Sequence, residues 1–131
     1  MSWAQVGKAV PVFGTTHADF CAREIPCTAF ISPEAVKSDY ELETGKLIAE
    51  TFKSADLNPA QIHMVLVAGH GPFTWGNSAL KSVYHSAVLE EVCKMAYFTV
   101  ALNPHVKPLP EYITQKHWER KHGKEAYYGQ S

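Results

Sequence analysis

A run of five apolar residues, from Met64 to Ala68, ends in the sequence Gly-His-Gly and constrains the fold more than any other stretch. A continuous apolar run of this length, without alternating polar residues, is typical of a strand that is buried on both faces. Such a strand needs a layer of structure on each side. The sequence therefore predicts a sheet whose central strand is covered by a layer of structure on each face.

The segments before this run combine short strands with helices. The stretch "AVPVFGTTHADF" predicts a strand and a polar loop that holds Asp19, and Ile25 to Phe30 is a second strand candidate. Ser32 is a typical N-cap residue before Pro33, so a helix is predicted to begin there. A break near Thr44-Gly45 is expected to precede a second amphipathic helix.

Two further helices are predicted after the run. Asn77 or Ser78 can cap a long helix that ends at Asn103, and Pro110 to Gly123 bound a last amphipathic helix. The apolar stripe predicted for the long helix contains Leu80, Val83, Tyr84, Ala87, Val88, Val92, Met95 and Ala96. Alternating helices and short strands indicate a layered α/β or α+β domain.

Composition and charge exclude several classes of protein. The chain has 131 residues, with 12 Lys and Arg against 13 Asp and Glu, a formal net charge of −1. Nucleic acid is not expected as a partner, because there is no positive excess to neutralise phosphates. No apolar stretch is long enough to span a bilayer, and the N-terminal stretch lacks the apolar core of a signal peptide. We therefore expect one cytoplasmic domain, spanning residues 1–131, without a membrane partner.

The three cysteines, Cys21, Cys27 and Cys93, include no CxxC pair. An odd number without such a pair favours reduced thiols over a disulfide framework or a cysteine zinc site. The simplest interpretation is that all three pack as small apolar side chains.

His70 is the first candidate for chemistry. A neutral imidazole at the end of a strand is a common zinc ligand, and the flanking glycines allow close approach. A loop histidine whose ring bonds to the backbone is an equally good interpretation. The other six histidines are scattered, and no HxH or HExxH motif nominates a second ligand.

The stretch Thr15, Thr16, His17 and Asp19 places four polar side chains within five positions. It could hold a general acid or base, or it could be a turn whose side chains bond their own backbone. Near the C-terminal end, Tyr127 and Tyr128 could deliver a hydroxyl to a site or simply pack.

His117, Arg120 and Lys121 share one face of the last helix. This face could bind a phosphate group or form a solvated basic end near the helix C-terminus.

Five motifs carry a resemblance to a known family: "GTTHADF", "IPCT", "YELETG", "GHGPFTWG" and "KHGKEAYYGQ". Together they resemble the C-terminal part of the L-ribulose-5-phosphate 4-epimerases, of the class II aldolase/adducin superfamily. The resemblance runs from Trp3 to the last residue. Sugar-acid-pathway paralogues of these enzymes carry the same motifs.

The resemblance implies a layered α/β/α sandwich with a mainly antiparallel central sheet, in a cyclic homotetramer with sites between subunits. It also implies epimerisation at C4 of a ketopentose phosphate by retro-aldol cleavage and re-addition, assisted by a divalent metal, usually zinc. The residues that it assigns are His70 as a metal ligand, Asp19 and Tyr128 as the acid/base pair with the tyrosine from an adjacent subunit, and Thr15, Thr16, His117 and Arg120 as substrate-binding residues.

The family's front portion has no equivalent here. That portion carries two further metal histidines, an acidic residue near the metal and the loops that hold the substrate phosphate. The chain is therefore expected to be a C-terminal piece that binds metal weakly and turns over little by itself. An aldolase of the same superfamily and a non-catalytic assembly protein are the alternatives. Asp19 and the "YYGQ" tail favour epimerisation over aldol cleavage.

Overall fold

The protein folds as a small β layer held between helices. The computed structural model describes residues 2–129. The elements in chain order are α1 (Ser2–Gln5), α2 (Thr15–Ala18), α3 (Pro33–Lys37), α4 (Tyr40–Ser54), β1 (Met64–Val67), β2 (Gly71–Thr74), α5 (Ala79–Leu102) and α6 (Glu111–His122).

Strands β1 and β2 form an antiparallel pair, with Val67 opposite Gly71 next to the connecting turn. Gly69 has a φ of +74° in this turn, a conformation that favours glycine. The predicted strand from Ile25 to Phe30 is reduced to single bridges at Ile25 and Cys27. It stops there because the Thr28 hydroxyl, and not the next backbone carbonyl, accepts the Ala68 N–H at 3.2 Å.

Strand β1 is buried on both faces, as the apolar run predicted. Met64 and Leu66 point into one cluster with Leu89 of α5, whereas Val65 packs into a second cluster with Phe52 of α4. Successive side chains of a strand face opposite sides, so one short strand serves two cores. This arrangement confirms the mixed, layered fold class.

Side-chain caps confirm most of the predicted helix starts. Ser32 accepts the Ala35 N–H at 3.1 Å to begin α3, and Ser78 accepts the Lys81 N–H at 3.1 Å to begin α5. The predicted end of α5 at Asn103 and the boundaries of α6 at Pro110 and Gly123 are also confirmed.

The predicted break near Thr44-Gly45 is wrong. Helix α4 begins after Asp39, whose carboxylate accepts the Leu42 N–H at 3.2 Å, and continues to Ser54. The Thr44 hydroxyl donates to the Tyr40 carbonyl one turn back at 2.8 Å, so the threonine stays within the helix. A β-branched residue and a glycine thus weaken this helix without ending it.

The predicted apolar stripe of α5 is wrong in part. The helix buries His85, Leu89, Val92, Cys93 and Ala96. Leu80 and Val83, which we predicted to be buried, are 80% and 67% exposed, and Tyr84 and Met95 are also exposed. Apolar residues occur on more than one face of α5, so periodicity alone cannot select the core face.

Candidate functional site

Asp19 lies at the C-terminal end of α2 and is almost completely buried. Its N–H donates to the Thr15 carbonyl at 2.9 Å, which fixes the aspartate directly after a single helical turn. The polar loop predicted here is therefore a short helix, with Thr15 and Thr16 exposed on its first turn.

Helix α6 brings its basic face against this carboxylate. His117 Nδ1 lies 3.0 Å from Asp19 Oδ1, and Arg120 donates from Nε at 3.1 Å and from Nη2 at 2.8 Å to the two carboxylate oxygens. Lys121 Nζ is 3.8 Å from Oδ2. The predicted shared face of α6 is confirmed, and its partner is the candidate acid/base residue.

The backbone carbonyl of Asp19 also accepts a hydrogen bond from α6. His122 Nε2 donates to the Asp19 carbonyl at 3.0 Å, so this ring nitrogen carries a proton. The His122 ring stacks on Trp118 with centroids 3.9 Å apart. The sequence analysis did not assign His122 to the site, although this residue lies in the motif "KHGKEAYYGQ" and at the end of the basic face.

The surroundings of Asp19 favour its ionised form. Burial by itself would raise the pKa of the carboxyl, but hydrogen bonds from Arg120 and His117 and the charge of Lys121 outweigh it. The pKa of Asp19 therefore lies below its usual range. At neutral pH the residue is a carboxylate, which can accept a proton.

Tyr128 lies next to the same arginine. The C-terminal segment turns back on α6, where the N–H groups of Tyr127 and Tyr128 donate to the Arg120 carbonyl at 3.0 and 3.1 Å. The guanidinium carbon of Arg120 lies 4.2 Å from the centroid of the Tyr128 ring. The two predicted acid/base residues therefore share Arg120 as a neighbour within one chain. Gln130 of the "YYGQ" motif lies outside the described residues.

His70 lies apart from these contacts, in the turn between β1 and β2. It is exposed, its N–H donates to the Val67 carbonyl at 3.0 Å, and its ring stacks on Phe73 with centroids 5.4 Å apart. Residues 2–129 contain no group of three His, Cys, Asp or Glu side chains that could hold a metal ion. One exposed imidazole is not the donor set of a zinc site, so we assign no step to a metal in this chain.

All three cysteines are free thiols. Burial raises the pKa of Cys21 and of Cys93 to about 11 in each case, so both are neutral at pH 7. These two pack as small apolar side chains, as expected, and Cys27 is half-buried.

An open cleft of about 850 Å³ lies beside α6. Its lining includes Trp118, Thr114, Leu57, Ile62 and Glu24. The residues that line it do not include Asp19, Tyr128 or His70. The cleft therefore does not mark the predicted site.

No helix within residues 2–129 combines the length and the apolar character needed to cross a bilayer.

Comparison with known proteins follows the same motifs. Residues 1–97 match the family model described as the class II aldolase and adducin N-terminal domain. The chain is 46% identical over 129 residues to the L-ribulose-5-phosphate 4-epimerase UlaF of Salmonella paratyphi C and to that of Salmonella choleraesuis. The match covers 98% of this chain and 56% of each relative, so the chain spans little more than half of their length. The chain belongs to the class II aldolase and adducin family.

Proposed function

We propose that this chain carries the acid/base part of a sugar-phosphate epimerase that interconverts L-ribulose 5-phosphate and D-xylulose 5-phosphate. The observation that carries the proposal is the Asp19 carboxylate, which His117 and Arg120 hold through hydrogen bonds. The names of the Salmonella relatives support the substrate.

The reaction needs one group that accepts a proton and one that donates it. A base takes the proton of the C4 hydroxyl, the C3–C4 bond breaks, and its electron pair remains on C3 as an enediolate while C4 becomes an aldehyde. The aldehyde then rotates, C3 attacks its other face, and the new alkoxide takes a proton from the second group. Proton exchange with water, or turnover in the reverse direction, resets both groups.

We assign the accepting role to Asp19, because it is a carboxylate at neutral pH and lies in the motif that the resemblance assigns to an acid/base residue. We assign the donating role to Tyr128, because a phenol hydroxyl can donate a proton. His117 and Arg120 orient the carboxylate, and the same arginine lowers its basicity. Within one chain Tyr128 lies on Arg120, and we expect the catalytic tyrosine to come from a neighbouring subunit.

Several more specific expectations from the sequence are part of this proposal. They are zinc as the metal with His70 as one ligand, a homotetramer, a single domain and a cytoplasmic location, together with four substrate-binding residues, Thr15, Thr16, His117 and Arg120. A metal at His70 would need ligands in addition to those that the described residues bring together. We therefore expect the chain alone, with added zinc, to turn over far more slowly than a full-length relative.

A chimera tests the proposal. Residues 2–129 of this chain would replace the matching segment of a Salmonella epimerase, and conversion of L-ribulose 5-phosphate to D-xylulose 5-phosphate would be measured. We expect an active chimera in which Asp19→Asn lowers kcat by roughly 10²- to 10⁴-fold, the usual contribution of a general acid/base. Lys94→Gln is the matched control, because Lys94 is exposed on α5 and pairs with Glu91 at 2.7 Å, away from Asp19.

Two results would oppose the proposal. A folded Asp19→Asn chimera with nearly full kcat would remove the aspartate from the chemistry. Accumulation of free dihydroxyacetone and glycolaldehyde phosphate, in place of D-xylulose 5-phosphate, would favour the aldolase alternative.

A further inference from the structure

Helix α5 carries apolar side chains on the face opposite its core face. The core face packs against β1 and includes Leu89, Val92 and Ala96. The opposite face is exposed along the whole helix. We call it the outer stripe, and it consists of Leu80, Tyr84, Ala87, Glu91, Met95, Phe98 and Leu102. At about 100° per residue, these seven positions fall within roughly 80° of the helix circumference.

The outer stripe exposes an unusual amount of apolar surface. Leu80, Phe98 and Leu102 are 80%, 61% and 88% exposed, and Tyr84 and Met95 are exposed as well. A helix that is apolar on both faces is typical of one that is covered on both sides. A continuous apolar patch along the 24 residues of α5, about 36 Å in length, therefore marks an interaction surface.

The spacing of the outer stripe identifies its partner. The intervals between successive members are 4, 3, 4, 4, 3 and 4 residues, so the series reads the same from either end of the helix. Its centre is Glu91, 11 residues after Leu80 and 11 residues before Leu102. Because 11 residues are close to three helical turns, the stripe stays on one side of an almost straight helix. A stripe with this symmetry matches a copy of itself that runs in the opposite direction.

We propose that α5 pairs through the outer stripe with α5 of a second copy of this chain, antiparallel and about a two-fold axis at Glu91. Residues equally distant from Glu91 then face each other across the axis. Leu80 packs on Leu102 of the second copy, and Tyr84 packs on Phe98 as an aromatic pair. The symmetry repeats each contact, so one helix pair contains two of each.

The centre of the outer stripe is complementary to its copy in size and in charge. The small Ala87 faces the long Met95, so the two helices can approach closely there. Glu91 meets its own copy at the axis, and it already pairs with Lys94, one turn further along α5, at 2.7 Å. Two glutamates and two lysines thus gather without net charge. The lysines offset the repulsion that two carboxylates alone would have.

This pairing is distinct from the proposed cyclic tetramer. Cyclic assemblies of more than two subunits join different surfaces head to tail, whereas the α5 pair joins the same surface twice. The competing occupant of the stripe is the part of the longer relatives that this chain does not match, since the match covers 56% of their length. Packing against a different segment does not require a symmetric spacing, so the spacing favours a second copy.

Analytical ultracentrifugation of the full chain over a range of concentrations tests the proposal. A single pair of helices is a small interface, so we expect a dissociation constant of roughly 10–100 μM, with the mass rising from one chain to two. Phe98→Asp should raise this constant by roughly 100-fold, because the symmetry removes the contact twice at about tenfold each. Well below this range the chain is a monomer, which is the condition for unfolding measurements on residues of the stripe.

Tyr112→Asp is the matched control, since Tyr112 is a 75% exposed aromatic residue on α6. Circular dichroism confirms that each variant is folded. Equal weakening by Tyr112→Asp and Phe98→Asp would overturn the proposal, because non-specific apolar association explains both. A chain that stays monomeric at about ten times the expected constant would also overturn it. Binding of the separately expressed front segment of a Salmonella relative would then assign the stripe to that segment.

Cross-linking tests the predicted alignment. In Glu91→Cys the two introduced thiols meet at the axis, and a short bismaleimide should join the copies. In Leu80→Cys the thiols lie about 33 Å apart, at 1.5 Å per residue, and should not be joined. The unmodified chain gives the background from the native cysteines. Equally fast cross-linking of both variants would contradict the antiparallel alignment. No readout uses a substrate, so this proposal and the proposed epimerase activity can fail separately.

Discussion

His17 and Asp19 stand two positions apart, and the fold lowers the pKa of both for different reasons. Hydrogen bonds and positive charge outweigh burial at Asp19. Burial dominates at His17 and lowers its pKa from 6.5 to about 4, although its Nε2 bonds to the Arg23 carbonyl at 3.0 Å. Asp19 is thus charged at neutral pH, whereas His17 is a neutral part of the interior.

His17 makes stability depend on pH. Because its folded pKa is lower than its unfolded value, the unfolded chain binds more protons between about pH 6.5 and 4. The free energy of unfolding is therefore highest above pH 6.5 and falls as pH drops to about 4. The loss attributable to His17 is on the order of 3 kcal/mol, since one pKa unit corresponds to about 1.4 kcal/mol.

Urea unfolding of His17→Gln at a series of pH values checks this prediction. The variant should be less stable at neutral pH and should lose less stability between pH 6.5 and 4. His105→Gln, at an exposed histidine, should keep the pH dependence of the original chain. An unchanged slope in His17→Gln would show that other groups control acid stability.

At the scale of elements, caps and packing decide where helices run. Helix α4 passes through Gly45, where the sequence predicted a break, because Asp39 caps the helix and Phe52 anchors it in the second core cluster. Local propensity is a weak preference that such tertiary contacts override.

Gly45 therefore offers a stabilising substitution. No atom lies within 4 Å of a Cβ built at this position, so Gly45→Ala introduces no clash. We expect the free energy of unfolding to rise by about 0.5–1 kcal/mol, because alanine restricts the unfolded chain and favours helix. Thermal unfolding followed by circular dichroism measures the change.

Gly69→Ala is the opposing control. Its φ of +74° and a contact of 3.1 Å to Phe30 should make that substitution destabilising. Destabilisation by Gly45→Ala would mean that α4 is interrupted there after all.

At the scale of the whole molecule, β1 joins the two core clusters. Leu66 is 1% exposed, its N–H donates to the Pro26 carbonyl at 2.8 Å, and its side chain packs in the cluster that includes Leu89 of α5. A single strand thus connects the early segments of the chain to the long helix.

Leu66→Ala should lower the free energy of unfolding by about 2–5 kcal/mol, the usual cost of a cavity at a buried leucine. Leu80→Ala is the matched control, since Leu80 is 80% exposed and its truncation should change stability by less than about 0.5 kcal/mol. Urea denaturation measures both variants. A larger loss at Leu80 would show that the α5 face predicted from periodicity is the buried one in solution.

The parts of the fold that sequence reasoning predicted are those governed by near neighbours. Ser32 and Ser78 act as N-caps through residues three positions away, and the run from Met64 to Ala68 identified the buried strand. The core face of α5 could not be predicted, because apolar residues occur on more than one of its faces and the polar His85 is buried, with its ring bonded to the Trp75 carbonyl.

The same division applies to the candidate site. Motif resemblance nominated Asp19, His117, Arg120 and Tyr128, but no residue pattern showed that they meet. Asp19 and His117 are 98 positions apart, and His63 and His85 stack although 22 residues separate them in the sequence. The missed partner His122 belongs to the same long-range set.

The sequence by itself determined the helix caps, the doubly buried strand, the basic face of α6 and the family. Each depends on residue type within one or two turns or on a recognisable motif. Only the tertiary structure decided that the basic face of α6 contacts Asp19, that His70 lies apart from it, and that His63 and His85 stack on each other. These contacts arise because hydrophobic burial is non-directional, so the packing of the layers selects which distant polar groups come within hydrogen-bonding distance.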